Sequence, residues 1–128
     1  MSDFLLITPE IILDNQNQVQ INIPELNPKS ALRYPKDIYN AEFIIYLIAT
    51  DMVAKNPFTE IFFSISIHYH SDTIPATLWT SPPLPAENLV FICGKLLFYK
   101  INPITNKDYI NSKEFNPSQL LFVKKSNS

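Results

Sequence analysis

Apolar and polar residues alternate one by one along several segments of the chain, and this alternation is its most constraining feature. In residues 18–23, QVQINI, the apolar side chains Val19, Ile21 and Ile23 are separated by Gln or Asn. Successive side chains of a β-strand point to opposite faces of the sheet, so the pattern predicts a strand with one buried and one solvated face. Helical periodicity with capping residues is not sustained in any window. We therefore expect an all-β fold.

Other apolar segments are also typical of strands. EFIIYLIATD (42–51) is apolar on both faces and predicts a central strand. EIFFSISIHYHSD (60–72) alternates, and NLVFICGKLLFYKI (88–101) is too long for one flat strand, which predicts a bulge or bend at Gly94. The remaining predicted strands are shorter: 4–8, 10–14, 76–80 and 119–124. The one helical element that we expect is a single turn around 37–41.

Glycine and proline depart from ordinary usage in opposite directions, with one Gly and eleven Pro. A single glycine excludes glycine-rich phosphate loops and dinucleotide fingerprints. Turns that need a positive φ must then use Asn or Asp. Four Asn-Pro pairs predict turns between the strands: Asn27-Pro28, Asn56-Pro57, Asn102-Pro103 and Asn116-Pro117.

Seven to eight short strands separated by turns predict a two-sheet antiparallel sandwich, either immunoglobulin-like or jelly-roll-like. A length of 128 residues favours one domain over 1–128. Residues 24–41 are long for a hairpin and suit a crossover between the sheets. The proline-rich segment 80–88 favours a second, stiff crossover over an exposed polyproline recognition loop.

Composition disfavours several functional classes. The net charge is −2, and no basic block precedes Lys124-Lys125, so a nucleic-acid interface is not expected. The longest apolar run, 43–49, is far shorter than the roughly 20 residues of a membrane helix, so membrane insertion is not expected. The chain begins without the basic start of a signal peptide, and its lone Cys93 cannot form an internal disulfide. These features favour a cytoplasmic location.

The two histidines of the chain, His68 and His70, are one residue apart and would share a strand face. Such a pair can hold one metal ion if a third ligand is near, and Asp72 is the next candidate on that face. Asp51 or Glu42 could come from a neighbouring strand. The same face also carries Glu60, Ser64 and Ser66, which is typical of a solvated strand. The sequence favours the solvated face and leaves the metal site as the alternative.

Catalysis and cofactor binding have little support in the sequence. Cys93 shares a predicted face with Phe91 and Leu97, which gives it no histidine base within reach. We therefore predict no catalytic residue and no cofactor. Carbohydrate binding is a further candidate without support in the sequence, considered because aromatic side chains on a sandwich can stack on sugars. The candidates for such stacking are Tyr46, Tyr69 and Trp79.

The second apolar face of residues 43–49 suggests a contact surface. A sandwich strand needs only one apolar face, yet Ile44, Tyr46 and Ile48 form another. Either the segment 24–41 or a protein partner must cover this stripe. The segment spreads its few apolar residues among charges and prolines, so we predict a partner surface at Ile44, Tyr46 and Ile48.

Three segments resemble an uncharacterised family of β-sandwich proteins from Bacteroidetes. They are EFIIYLIATD, SPPLPAENLVFICGKLLFY and NSKEFNPSQLLFV, and they extend over about the last two thirds of the chain. In that family a turn of similar sequence precedes the last strand; here it comprises Asn111, Ser112, Phe115, Asn116 and Pro117. The resemblance implies a sandwich and carries over no catalytic residue. The predicted function is a non-catalytic structural or protein-interaction module, a subunit of a larger assembly. The alternative is a metal-binding protein or metal-dependent enzyme that uses the His-x-His strand.

Overall fold

A computed structural model describes residues 1, 3–51, 59–104, 106–112 and 114–127. These residues form eight strands and one helical turn, and the predicted all-β class is confirmed. In chain order the elements are β1 (Glu10–Leu13), β2 (Val19–Ile23), α1 (Pro28–Ala31), β3 (Asn40–Thr50), β4 (Thr59–His68), β5 (Thr77–Thr80), β6 (Leu89–Asn102), β7 (Asn106–Tyr109) and β8 (Ser118–Lys125).

The strands form two antiparallel sheets, as the two-sheet prediction requires. The small sheet has the order β1-β2-β5. The large sheet has the order β4-β3-β6, and the far edge of β6 is shared by β7 and β8. β7 pairs with the last residues of β6 (99–102), and β8 pairs with its first half (89–95). The immunoglobulin-like and jelly-roll-like subtypes both stay predictions.

The core fills the space between the sheets because the alternating residues of each central strand point inward. In β2 these residues are Val19, Ile21 and Ile23, as predicted, and all three are buried. In β3 every odd residue is buried, and in β6 every even residue from 90 to 98 is buried. The face of the large sheet that points away from this core is called the outer face below.

The long strand β6 runs unbroken for 14 residues, so the expected bend at Gly94 does not interrupt it. The irregularity lies instead in the pairing with β8, where the register shifts between Ile92 and Cys93 and leaves Leu121 as an extra residue. A Cβ atom on Gly94 would lie 2.9 Å from Leu121 Cδ1. A side chain at position 94 would therefore require the Leu121 and Met1 side chains to shift.

Three local predictions were wrong. Residues 4–8 form only an isolated bridge, Leu5 to Leu32, and no strand. The helical turn lies at Pro28–Ala31, because the Asn27 side chain accepts a hydrogen bond from the Lys29 N–H and proline suits the first helical position. Residues 40 and 41, which the sequence assigned to that turn, begin β3. β7 was not predicted, because its sequence, NKDY, lacks an apolar alternation.

Turn chemistry follows the shortage of glycine. The described residues with positive φ are Asn17, Asp37, Asn106 and Glu87, so three of the four are Asn or Asp. The prediction is confirmed at those three, and Glu87 is an exception for which the structure gives no evident reason. The pair Asn56-Pro57 lies outside the described residues.

Three connections join the sheets, β2 to β3, β4 to β5 and β5 to β6, and the first and third are the two crossovers predicted from the sequence. Of these two predicted crossovers, the first connects β2 to β3 and the second, residues 81–88, connects β5 to β6. The buried polar groups of the second crossover are hydrogen-bonded. Ser81 Oγ accepts from the Val19 N–H, and Ser126 Oγ accepts from the Asn88 N–H and donates to the Pro85 carbonyl. These bonds fix the crossover against β2 and the end of β8.

Candidate interaction surface

The two histidines do not share a strand face, which corrects the sequence-based arrangement. β4 ends at His68, and Tyr69 and His70 form the turn that follows. His68 Nδ1 lies 2.7 Å from Asn40 Oδ1, on the neighbouring strand. The His70 ring packs against Tyr39 and Tyr69, with ring centroids 5.4 and 5.0 Å apart.

Two other candidate metal ligands, Glu42 and Asp72, do not complete a site with the two histidines. Glu42 Oε1 forms an ion pair with Lys107 and accepts a hydrogen bond from the Tyr109 hydroxyl. Asp72 is exposed in the loop after the turn. Within the described part of the chain, no group of three or more His, Cys, Asp or Glu residues is arranged to hold a metal ion.

The three aromatic residues considered for sugar stacking lie in different surroundings. Trp79 stacks on Phe63 at a centroid distance of 5.5 Å and packs against the core. Tyr69 makes an edge contact with Tyr34. Tyr46 lies on the outer face, with Phe62 as its aromatic neighbour at 6.0 Å. They do not form a common platform.

The predicted stripe of Ile44, Tyr46 and Ile48 lies on the outer face. Even residues of β3 point there because the odd residues fill the core, and all three stripe residues remain partly exposed. β3 is central in the large sheet, between β4 and β6. The stripe therefore occupies the middle of a sheet surface rather than its edge.

Apolar side chains of the neighbouring strands extend the stripe sideways. The strand register places Phe62 beside Tyr46 on one flank and Cys93, then Leu120, on the other. Phe62 is 67% exposed and Leu120 is 53% exposed. The apolar patch, as we name it, consists of Ile44, Tyr46, Ile48, Phe62, Phe91, Cys93, Leu120 and Val123.

The segment 24–41 does not cover the apolar patch. Its apolar residues Leu26, Ala31, Leu32 and Ile38 are all buried, and they belong to the core between the sheets. The stripe residues are all partly exposed, which also shows that the segment does not cover them, since a covering segment would bury them. The sequence left two candidates to cover the stripe, the segment 24–41 and a protein partner. The structure excludes the segment.

Polar groups border the patch at one end of the outer face. Lys107 on β7 reaches across to Glu42 on β3, and this hydrogen bond raises the pKa of the Lys107 ammonium group. Lys107 Nζ also lies 5.0 Å from the centre of the Tyr99 ring. Burial raises the pKa of the Tyr99 hydroxyl. This end of the face is thus a linked polar network, in contrast to the apolar centre.

The charges around the patch are mainly basic on the side of β6 and β8. Lys95 stands on the outer face directly beside Ile44, and Lys125 stands beside Leu89 at the end of β8. On the β4 side the flanking charge is Glu60, which faces Ile48. The patch thus has an uncharged centre, and its rim carries Lys95 and Lys125 on one side and Glu60 on the other.

Cys93 lies within the apolar patch, on the face it was predicted to share with Phe91 and Leu97. Its side chain is partly exposed. The sequence could not show this, because an apolar run that fills a core resembles one that faces a contact surface.

Comparison with known proteins gives no match among family models, curated proteins or solved structures. The resemblance to a Bacteroidetes sandwich family therefore stays a prediction. In the described part of the chain, no helix has the length and apolar character needed to cross a membrane.

Proposed function

We propose that this protein is a non-catalytic interaction module, a cytoplasmic subunit of a larger protein assembly that docks through the apolar patch. The observation that carries the proposal is the second apolar face of the large sheet. The inner face of that sheet already fills the core, so folding of this chain leaves the patch available. Soluble monomers rarely leave contiguous apolar patches of more than a few hundred Å² in water.

The composition of the patch resembles that of protein interfaces. Aromatic residues are enriched in the buried centres of interfaces and charged residues are depleted there. The centre here holds Tyr46, Phe62 and Phe91, while Lys95 and Lys125 stand at the rim. We therefore propose a protein partner with an apolar centre and with acidic side chains that meet those two lysines.

Site-specific photocrosslinking in the native host tests this proposal. p-Benzoylphenylalanine at position 46 should give one discrete protein adduct, because that position is the centre of the patch. The matched control is position 22, an exposed residue on the outer side of the small sheet, where no such adduct is expected. Lys95→Glu should weaken the adduct at position 46, since it replaces a proposed attraction by repulsion.

Two results would contradict the proposal. One is the absence of an adduct at position 46 in cells that contain the folded protein. The other is an equal adduct at positions 46 and 22, which would mean nonspecific contact. Metal binding at His68 and His70, the alternative function, has no supporting observation in the geometry, since the rings make separate contacts.

A further inference from the structure

We propose that a second copy of this chain pairs with the free edge of β4, antiparallel and centred on Ser64. The pairing would join two large sheets into one continuous sheet across a two-fold axis. The pairing uses the backbone edge of β4 and shares only Phe62 with the apolar patch, whose other residues lie on β3, β6 and β8, so the proposal goes beyond docking of a different protein.

The backbone geometry shows that one side of β4 has no partner strand among the described residues. The Tyr69 N–H donates to the Tyr39 carbonyl, which is the next pair beyond the β3–β4 ladder. Hydrogen-bonded pairs alternate along an antiparallel ladder, so the odd residues of β4 bond to β3. The backbone groups of the even residues, 60 to 68, therefore point away from β3 toward the open edge.

β4 lacks the devices that usually protect an exposed edge strand. Such edges are normally short, bulged, or marked by lysine or proline. β4 runs for ten residues in unbroken register, and its sequence, TEIFFSISIH, contains no Lys, Arg, Pro or Gly. The even residues Glu60, Phe62, Ser64 and Ser66 are all exposed, so no described segment lies over them.

Each of the other described edge strands is either short or protected by a bulge and lysines. β1, β5 and β7 have four residues each. β8 is longer, but it carries a bulge at Leu121 and ends in Lys124 and Lys125. The contrast indicates that β4 is the edge built for pairing.

The strand is also complementary to itself in one register. Centring the pair on Ser64 brings all five outward-facing residues opposite one another. The pairs among residues 62, 64 and 66 can each exchange two backbone hydrogen bonds, whereas the His68 carbonyl already accepts from the Ser71 N–H in the following turn. Glu60, the one formally charged residue of β4, then faces His68 of the second copy, and this happens twice by symmetry. Shifting the centre to Phe63 or Ile65 loses one of the five pairs.

The core side of β4 gains from the same register. Ile61, Phe63 and Ile65 point toward the core but remain only partly buried, in contrast to Ile67. In the proposed pair Phe63 lies beside Ile65 of the second copy, and Ile61 beside Ile67. Cross-strand apolar pairs of this kind stabilise sheets. A second copy therefore fits both faces of the edge.

Sedimentation velocity over a concentration series provides the first test. The unmodified chain should reach the mass of two chains, and Ser64→Pro should keep the mass of one. Proline removes one outward-facing N–H and is tolerated on an edge strand. Ser64→Ala, which retains that N–H, should still dimerise. Leu120→Asp, in the apolar patch on the far side of the sheet, should also dimerise, which separates this proposal from the proposed docking function.

Disulfide trapping tests the register and does not depend on the proline variant. Cα atoms of a hydrogen-bonded antiparallel pair are about 5.5 Å apart, within the range that a disulfide spans. In a Cys93→Ala background, Ser64→Cys should therefore form a disulfide-linked dimer under mild oxidation. Ser66→Cys, on the same face and also exposed, faces Phe62 of the second copy and should therefore form no disulfide-linked dimer.

The proposal is overturned if the unmodified chain keeps the mass of one chain throughout the concentration series. It is also overturned if Ser64→Pro dimerises like the unmodified chain, or if the two cysteine variants crosslink equally. A monomer that crosslinks at position 64 only to another protein would mean that the edge accepts a foreign strand instead.

Discussion

At the scale of single residues, buried hydroxyl groups hold the crossover of residues 81–88 in place. Ser126 is 4% exposed, and its Oγ joins Asn88 and Pro85 through two hydrogen bonds of 2.8 Å. The side chain of Ser81 has a similar role beside Val19. No buried side-chain polar atom in the described residues lacks a hydrogen-bond partner. Small polar residues therefore contribute to the fold at positions where the sequence shows only isolated serines.

Ser126→Ala should lower the free energy of unfolding by about 1–3 kcal/mol. The substitution leaves the buried Asn88 N–H without its partner, and this desolvation cost is not recovered. Urea unfolding measures the difference. Ser118→Ala, at an exposed position of β8, is the matched control and should change stability by no more than about 0.5 kcal/mol. Equal effects of both substitutions would refute the role of Ser126.

The turn between β1 and β2 provides a pH-dependent prediction. The Asp14 carboxylate accepts hydrogen bonds from the backbone N–H groups of Gln18 and Gln16 and from the Gln20 side chain. The bond from Gln18 contributes most to holding the Asp14 pKa below its ordinary value of 3.8. A lowered pKa means that the stabilisation is present above the unfolded-state pKa and is lost as the pH falls through the folded-state value.

We therefore expect Asp14→Ala to melt at a lower temperature than the unmodified chain at neutral pH. The difference in melting temperature should shrink as the pH falls through 3.8 and below. Asp14→Asn keeps an acceptor oxygen without the titrating charge, so its melting temperature relative to Asp14→Ala should not vary in this range. A difference between the unmodified chain and Asp14→Ala that grows on acidification would contradict the assignment.

At the scale of elements, the sequence predicted well those strands that have a buried face and a clear pattern of apolar residues. Val19, Ile21 and Ile23 made β2 evident, and the apolar run 42–51 corresponds to the central strand β3. β7 could not be predicted, because all four of its residues are exposed and its place depends on pairing with the end of β6. Residues 4–8 show the converse, since Leu5 is buried without being in a strand.

Hydrogen exchange should show β7 to be among the less protected of the described strands. An element with no buried side chain opens at a low free-energy cost, whereas β3 is fixed on both edges and on its core face. The backbone amides of β7 that bond to β6 should exchange on the order of 100-fold faster than those of β3. Lys107→Ala, which removes the contact with Glu42, should accelerate exchange in β7 further. Equal protection of the two strands would contradict this account.

At the scale of the whole molecule, the large sheet has two apolar faces and the small sheet covers only one of them. The sequence revealed the stripe of Ile44, Tyr46 and Ile48, because alternation exposes both faces of a strand at once. It could not reveal the rest of the patch, since Phe62, Leu120 and Val123 join the stripe only through strand order and register. The sequence also placed His68 and His70 on one strand face, although the strand ends at His68. The end of a strand depends on its pairing with other strands, which the sequence does not show.

We propose that the outer face is a surface for contact and not part of the chain's own core, and urea unfolding of paired variants tests this. Ile44→Asp with Ile48→Asp should remain folded and lose about 2 kcal/mol or less, which reflects the strand preference of isoleucine. Ile45→Asp, on the same strand but 1% exposed, should lose more than about 4 kcal/mol or unfold, because it buries a charge. If the outer-face pair unfolds as Ile45→Asp does, the outer face is internal core and the account is wrong.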